Sequence, residues 1–321
     1  MSRSRTLLLI FIALILLFFA GPRAHVDLSW DDIQVGQPID EWLDAQEAIF
    51  DDLRPGVQKE VIWADSSKAR TPLSIVYLHG FSASRLEAVP YPDSIAKALG
   101  ANLFYTRFAG HGRDGQALGE STVHDWVQST AEAIKVGEAI GEKVVVIGLS
   151  TGATFAAVAS LDEELSRNMA AQIWISPNFA VADPRSSMLL WPWGTSILHA
   201  IQGETYSWTP QNEKHAALGT HEYPSDVLIE VVGIANAVQD MDFGRITAPT
   251  MLIYSPTDQV VDPETTERLY DRLGTHLKDS VMVRSSLDQN NHVLVGDALG
   301  PENTISIARR TIQWLSAAIE Q

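Results

Sequence analysis

The sequence predicts an α/β chain: a mostly parallel, doubly wound sheet with helices on both faces and a helical insertion late in the order. Three observations carry this. Short apolar strand-like runs alternate with helix-periodic stretches along most of the chain, the pattern of βαβ units. Lys143-Val144-Val145-Val146-Ile147 leads straight into Gly148-Leu149-Ser150-Thr151-Gly152 and then Ala153–Ala159, which reads as buried strand, tight turn and packed helix. Between Pro177 and Pro249 no convincing strand is found, and roughly 70 residues is too long for an unstructured loop.

The elements follow in order. Residues 23–36 read as a polar tether. Ile39, Trp42, Leu43, Ile49, Phe50 and Leu53 recur at helical spacing, and Pro55-Gly56 ends that helix. Glu60–Ala64 and Ser74–Leu78 read as strands, the second running into His79-Gly80-Phe81. A helix over Leu86–Leu99, interrupted near Pro90 and Pro92, leads to a strand at Asn102–Thr106 and the turn Gly110-His111-Gly112. Val123–Ile140 is helical. Further strands fall at Gln172–Ser176, Thr250–Tyr254 and Ser280–Arg284, with helices at Glu264–Leu273 and Thr304–Ile319. The insertion carries Met188, Leu189, Leu190, Trp191, Trp193, Trp208 and a helix-like Val227–Val238.

Composition bounds the function. The chain has 321 residues, 45% apolar and 20% charged, enough for one large domain or two small ones. A net charge of −17 argues against nucleic acid as a partner, since phosphate binding needs clustered Lys and Arg. The absence of cysteine excludes disulfides, thiolate catalysis, lipoprotein-type acylation and Cys-ligated zinc.

Arg3 and Arg5 precede an unbroken apolar run of 14 residues, Leu7–Ala20. As a helix it would extend about 21 Å, short of the roughly 30 Å hydrocarbon core. That favours a signal-peptide core, yet no clean small-x-small cleavage site follows: Phe18 stands two before Ala20 and Pro22 two before Ala24. An uncleaved anchor over residues 6–21 fits as well. Either reading keeps the basic end cytoplasmic and exports the rest to a periplasmic or other extracytoplasmic location.

The stretch Gly148–Gly152 has the strand–G-x-S-x-G–helix context of a nucleophile elbow. Its glycines would relieve collisions in a turn tight enough to strain Ser150. Such a serine needs a general base, and the base an orienting acid, in the chain order Ser, Asp or Glu, His. Asp258 follows the Thr250–Tyr254 strand at the same sheet edge. Its rival, Asp262, precedes Pro263 and reads as a helix N-cap. His292, in the loop Asp288-Gln289-Asn290-Asn291-His292, is the candidate base. His276, His215, His221, His79 and His111 stand in worse positions, the last two as loop-shaping residues. The backbone N–H groups of Phe81 and Thr151 are the candidate oxyanion hole. The plain alternative is a glycine-bounded turn with an ordinary surface serine and a surface loop histidine.

On His79-Gly80-Phe81, Gly110-His111-Gly112, the Gly148–Gly152 elbow, Asp258-Gln259-Val260-Val261 and His292, the chain resembles the α/β-hydrolase superfamily, in its monoacylglycerol-lipase-like and carboxylesterase-like branch. The resemblance covers about residues 57–320. It implies carboxylic ester hydrolysis by Ser150, His292 and Asp258 with no metal or organic cofactor, and a helical lid between the sixth and seventh strands. The expected division is residues 1–25 as signal or anchor, 26–56 as tether and helix, 57–178 with 246–321 as catalytic domain, and 179–245 as lid. The expected substrate is a small ester or monoacyl lipid, with Trp191 and Trp193 as candidate substrate-binding residues on the lid. A proline-iminopeptidase-like serine peptidase would need lid acids for the substrate's amino terminus, and Glu204, Glu213, Glu222 and Asp226 are available. A catalytically silent exported binding protein would be expected to have lost a triad member, and none is missing here.

Overall fold

The computed structural model describes residues 3–320. Seven strands make the main sheet: β1 (Glu60–Ile62), β2 (Thr71–Leu78), β3 (Asn102–Tyr105), β4 (Gly141–Leu149), β5 (Met169–Ile175), β8 (Thr250–Tyr254) and β9 (Lys278–Met282), with β6 (Thr205–Ser207) and β7 (Glu222–Pro224) forming a separate hairpin. The sheet order is β1-β3-β2-β4-β5-β8-β9, parallel except for β1 against β3. This is the α/β-hydrolase fold.

Both faces of the sheet are covered, which is why its central strands are almost continuously apolar. Alternate residues face opposite cores. Val76, Leu78, Val144 and Val146 pack with the helices Val123–Ile140 and Thr151–Leu161. Ile75, Tyr77, Val145 and Ile147 pack with Tyr91–Leu99 and Pro301–Ile319. The Val123–Ile140 helix begins where the sequence places it because Thr122 and Asp125 form a reciprocal capping box.

Several expectations need correction. The first catalytic-side helix stops at Glu47 rather than near Leu53. The chain turns there so that the Glu47 carboxylate can take both Nε and Nη2 of the buried Arg107, and Ile49 is left exposed. Residues 23–36 have no helix or strand of their own, yet they are no free tether: Val26, Leu28, Trp30, Ile33 and Val35 pack on the main core, and Trp30 Nε1 donates to Asp162. Their alternation with Asp27, Ser29 and Asp31 is the signal that was available. The insertion follows the fifth strand of the sheet and precedes the sixth, because only β1 precedes Thr71–Leu78. It combines the helices Gly194–Gln202, Glu213–Leu218 and Val227–Ala237 with the β6–β7 hairpin, whose strands are too short to announce themselves in sequence.

The apolar amino-terminal run forms a helix, Arg3–Phe19, that ends before Ala20 and Gly21. Among the described residues no helix is long and apolar enough to cross a membrane.

Candidate active site

Every strand that feeds the site ends at the same sheet edge. β4 delivers Ser150, β2 the His79-Gly80-Phe81 turn, β8 the loop with Asp258, and the chain beyond β9 the loop with His292. Ser150 sits at φ +53°, ψ −118° at the mouth of the helix Thr151–Leu161, a conformation that costs a non-glycine residue about 1–3 kcal/mol and marks a site held by its surroundings. The flanking glycines explain how. A Cβ on Gly152 would stand 2.1 Å from the Leu78 carbonyl oxygen, and one on Gly148 would stand 2.5 Å from Ala153 Cα. The turn closes only without those side chains.

Ser150, His292 and Asp258 come together as a hydrogen-bonded chain. His292 Nδ1 donates to Asp258 Oδ2 at 2.8 Å, and its Nε2 lies 2.9 Å from Ser150 Oγ. Asp258 Oδ1 accepts from the N–H groups of Val260 and Val261, so the carboxylate is fixed at one oxygen while the other holds the ring. That bond sets the tautomer: with the proton on Nδ1, Nε2 offers its lone pair to the serine hydroxyl. Asp262 instead caps the helix Pro263–Asp271 by accepting from Glu264 and Thr265 N–H.

Burial would push the His292 pKa down, but the charge and hydrogen bond of Asp258, with Asp288 and Glu87 nearby, outweigh it and raise the value above the usual 6.5. A base must be neutral to work, so kcat/KM should fall on acidification through that raised value. The expected pH–rate profile therefore has its acid limb above the unperturbed imidazole position, and in Asp258→Asn the limb should move to lower pH. A limb unchanged in the variant would contradict the pairing.

Thr151 follows the serine directly and Phe81 follows Gly80, on which a Cβ would lie 3.4 Å from Ser150 Cβ; neither N–H donates to a protein group among the described residues. His79 and His111 shape the loops here: His79 Nε2 accepts from Phe108 N–H while Nδ1 donates to Gly80 O, and His111 Nε2 accepts from Ser82 N–H. Burial lowers the pKa of His79 to about 4 and holds that of His111 well below the usual value, so both are neutral near pH 7.

Three residues that sequence reasoning missed complete the surroundings. The buried Glu87 accepts from Gly80 N–H at 2.6 Å and Tyr77 OH at 2.9 Å through one oxygen, pinning the turn that presents Phe81. A methyl built on Gly80 would lie 3.1 Å from the other oxygen and 3.4 Å from Ser150 Cβ, and burial pushes this carboxyl up to about 7. Asp288 accepts from the N–H groups of His292 and Val293 and from Gln211, and Ser176 Oγ donates to His292 O at 2.7 Å. Together these two hold the histidine loop. Asp288, four residues before His292 in a polar run, was the one legible signal.

A cavity of about 620 Å³ opens onto Ser150, within the ~300–1,000 Å³ range of small-molecule sites. Its walls are largely lid side chains, among them Met188, Leu189, Leu198, Ile201, Trp208 and Val232. Thr151 and Asn178 are among its lining residues, and their Oγ1 and Oδ1 are buried without a protein hydrogen-bond partner. Trp191 and Trp193 do not line it. They are 48% and 36% exposed, and Trp193 turns its indole to the end of the Arg3–Phe19 helix, donating to Leu17 and Phe18 carbonyls. Trp208 is the lid tryptophan that faces the cavity. Glu204, Glu213, Glu222 and Asp226 are exposed and off its walls. No cluster of His, Asp or Glu among the described residues is arranged to hold a metal ion.

Fold and site together define an α/β hydrolase with a strained serine at the edge of its sheet. The chain belongs to the serine aminopeptidase S33 family, whose model matches residues 73–285. It is similar to the thermostable monoacylglycerol lipase of Bacillus sp. (strain H-257), 25% identical over 218 residues that cover 67% of this chain and 82% of the relative. Among solved structures, a metagenome-derived lipolytic enzyme (of the pair LipS and LipT) superposes with TM-score 0.65 at 18% identity, covering 83% of this chain and 99% of that one. The monoacylglycerol lipase of Paleococcus ferrophilus gives TM-score 0.55 at 17% identity over 81% of this chain and 98% of its own. At these identities the structural likeness speaks for the fold.

Proposed function

We propose that this hydrolase cleaves carboxylic esters through an acyl-enzyme on Ser150. The observation that carries the reading is the chain of bonds from Asp258 through His292 to a serine hydroxyl that opens onto an apolar cavity. Ser150 Oγ attacks the ester carbonyl as His292 Nε2 takes its proton. The carbonyl oxygen, now an anion, is held by the N–H groups of Phe81 and Thr151. As the intermediate collapses, the C–O bond to the alcohol breaks and His292 returns the proton to the leaving oxygen. Water then enters, gives its proton to His292 and releases the acid by the same route, restoring the serine.

The family's description names an aminopeptidase, so peptide cleavage is the competing reading. An amino-terminal ammonium needs a carboxylate to receive it. The four lid acids considered for that role are exposed and off the cavity, and the three carboxylates on its walls are taken: Asp288 by the histidine loop, Glu87 by Gly80 and Tyr77, and Asp183 by Arg185. Medium acyl esters, such as those of monoacylglycerols, suit the walls better. Each methylene buried there contributes about 0.8 kcal/mol, or about fourfold in kcat/KM, until the cavity is full. Across p-nitrophenyl esters from acetate to palmitate, kcat/KM should rise, peak at intermediate length and fall. A maximum at palmitate, or faster cleavage of aminoacyl amides than of any ester, would overturn the assignment.

We also propose export, with the catalytic part outside the cytoplasm, on the strength of Arg3, Arg5 and the apolar helix that follows. Amino-terminal sequencing of the mature protein separates a retained helix from cleavage after Ala20 or Ala24.

A further inference from the structure

The helix Arg3–Phe19 has no buried residue on any face. Leu7, Phe11, Leu16 and Phe19 are each more than 60% exposed, and beyond Thr6 no polar residue interrupts the helix. A surface-lying amphipathic helix would carry a polar stripe. This one is apolar all round, as expected of a segment surrounded by lipid, with Arg3 and Arg5 at its far end.

Its near end is fastened to the lid. Trp193 Nε1 donates to the carbonyls of Leu17 at 3.3 Å and Phe18 at 3.1 Å in the last turn of the helix, where the Phe18 carbonyl also accepts from Gly21 N–H. Trp193 N–H donates to Pro22 O at 2.9 Å. The indole lies so close to Gly21 that a Cβ there would fall 2.2 Å from Nε1. Trp193 holds this position at φ +67°, a left-handed conformation that is costly for a bulky residue and points to a constraint that serves a purpose. The residue is also the N-cap of the helix Gly194–Gln202. That helix supplies Leu198 and Ile201 to the cavity wall, and Met188 and Leu189 lie just before Trp193. Trp191, two residues before it, is 48% exposed, and Ile201 near the other end of that helix is 70% exposed; an exposed indole with one polar edge suits the water–lipid boundary.

We propose that Trp193 is a clasp that fixes the cavity mouth against a lipid bilayer in which the helix Arg3–Phe19 is immersed. The proposal is immersion, not a crossing. Substrate dissolved in that bilayer then meets the lid edge and reaches Ser150 without first dispersing in water. This rests on the ester reading for the nature of the substrate, but not for the membrane contact.

The test uses the full chain, as wild type and as two variants that open the clasp from opposite sides. Trp193→Gly keeps the left-handed backbone and its N–H while deleting the indole; Gly21→Ala leaves the lid's own sequence unchanged but displaces the indole. Flotation with phosphatidylcholine–phosphatidylglycerol vesicles reads membrane contact. Hydrolysis is then followed on 1-decanoylglycerol carried in those vesicles and on soluble p-nitrophenyl butyrate. All three proteins should float and cleave the soluble ester alike, while both variants lose roughly tenfold on the vesicle-borne ester through misplacement of the mouth. Variants as fast as wild type on the vesicle-borne ester would overturn the clasp. Wild type that stays unbound to vesicles, whether alone or paired with a second copy through its helix, would overturn the membrane contact. Flotation without hydrolysis of either ester would sink the ester reading and leave the membrane contact standing.

Discussion

Ser150→Ala should abolish ester hydrolysis, lowering turnover by about 10⁴ to 10⁶ while leaving the fold intact. The variant deletes one hydroxyl whose recorded side-chain bond is to His292. The elbow survives because its closure depends on Gly148 and Gly152, and alanine at φ +53° is strained no more than serine. No other side chain is placed to substitute: Thr151 Oγ1 is buried with no base bonded to it, and Ser176 Oγ is spent on the His292 carbonyl. Circular dichroism and thermal melting should match wild type. Turnover within tenfold of wild type in a folded variant would remove the serine from the mechanism.

Asp258→Asn should cost about 10⁴ in turnover. The asparagine Oδ1 can still accept from Val260 and Val261, which leaves its NH₂ facing His292 Nδ1. Two donors cannot share that contact, so the ring must shift its proton to Nε2, the atom that has to accept from Ser150. The geometry then survives with the wrong tautomer. Asp262→Asn is the matched control. Asparagine caps a helix about as well as aspartate, so activity should hold and stability should move by a few tenths of a kcal/mol. The reverse ranking would assign the acid to Asp262.

The legibility of this chain divides along physical lines. The elbow could be read because its requirements are local: glycines at 148 and 152, a β-branched run before and a small-residue helix after. Asp258 and His292 could be read because strand order carries each to the same sheet edge, and Asp262-Pro263 announced itself as a cap. The lid's choice of aromatic could not be read. Nothing in Trp191, Trp193 and Trp208 says which ring faces the cavity, since that depends on how the insertion folds back on the sheet. Glu87 escaped notice because its meaning comes from a contact across seven residues to Gly80 N–H, with no periodicity to expose it. The early end of the helix Ile39–Glu47 likewise reflects a partner 60 positions away, Arg107.

The most direct measurement of the central claim is labelling with a fluorophosphonate ester, followed by intact-mass analysis, peptide mapping and residual activity on the same samples. The reagent phosphonylates a serine, with loss of fluoride, only where a base activates it and an oxyanion site receives the phosphonyl oxygen. One adduct per chain, mapped to Ser150 and rising in step with the loss of ester hydrolysis, is the predicted result, with negligible labelling in Asp258→Asn. Loss of activity with the adduct on another residue, or full activity with Ser150 modified, would contradict the account.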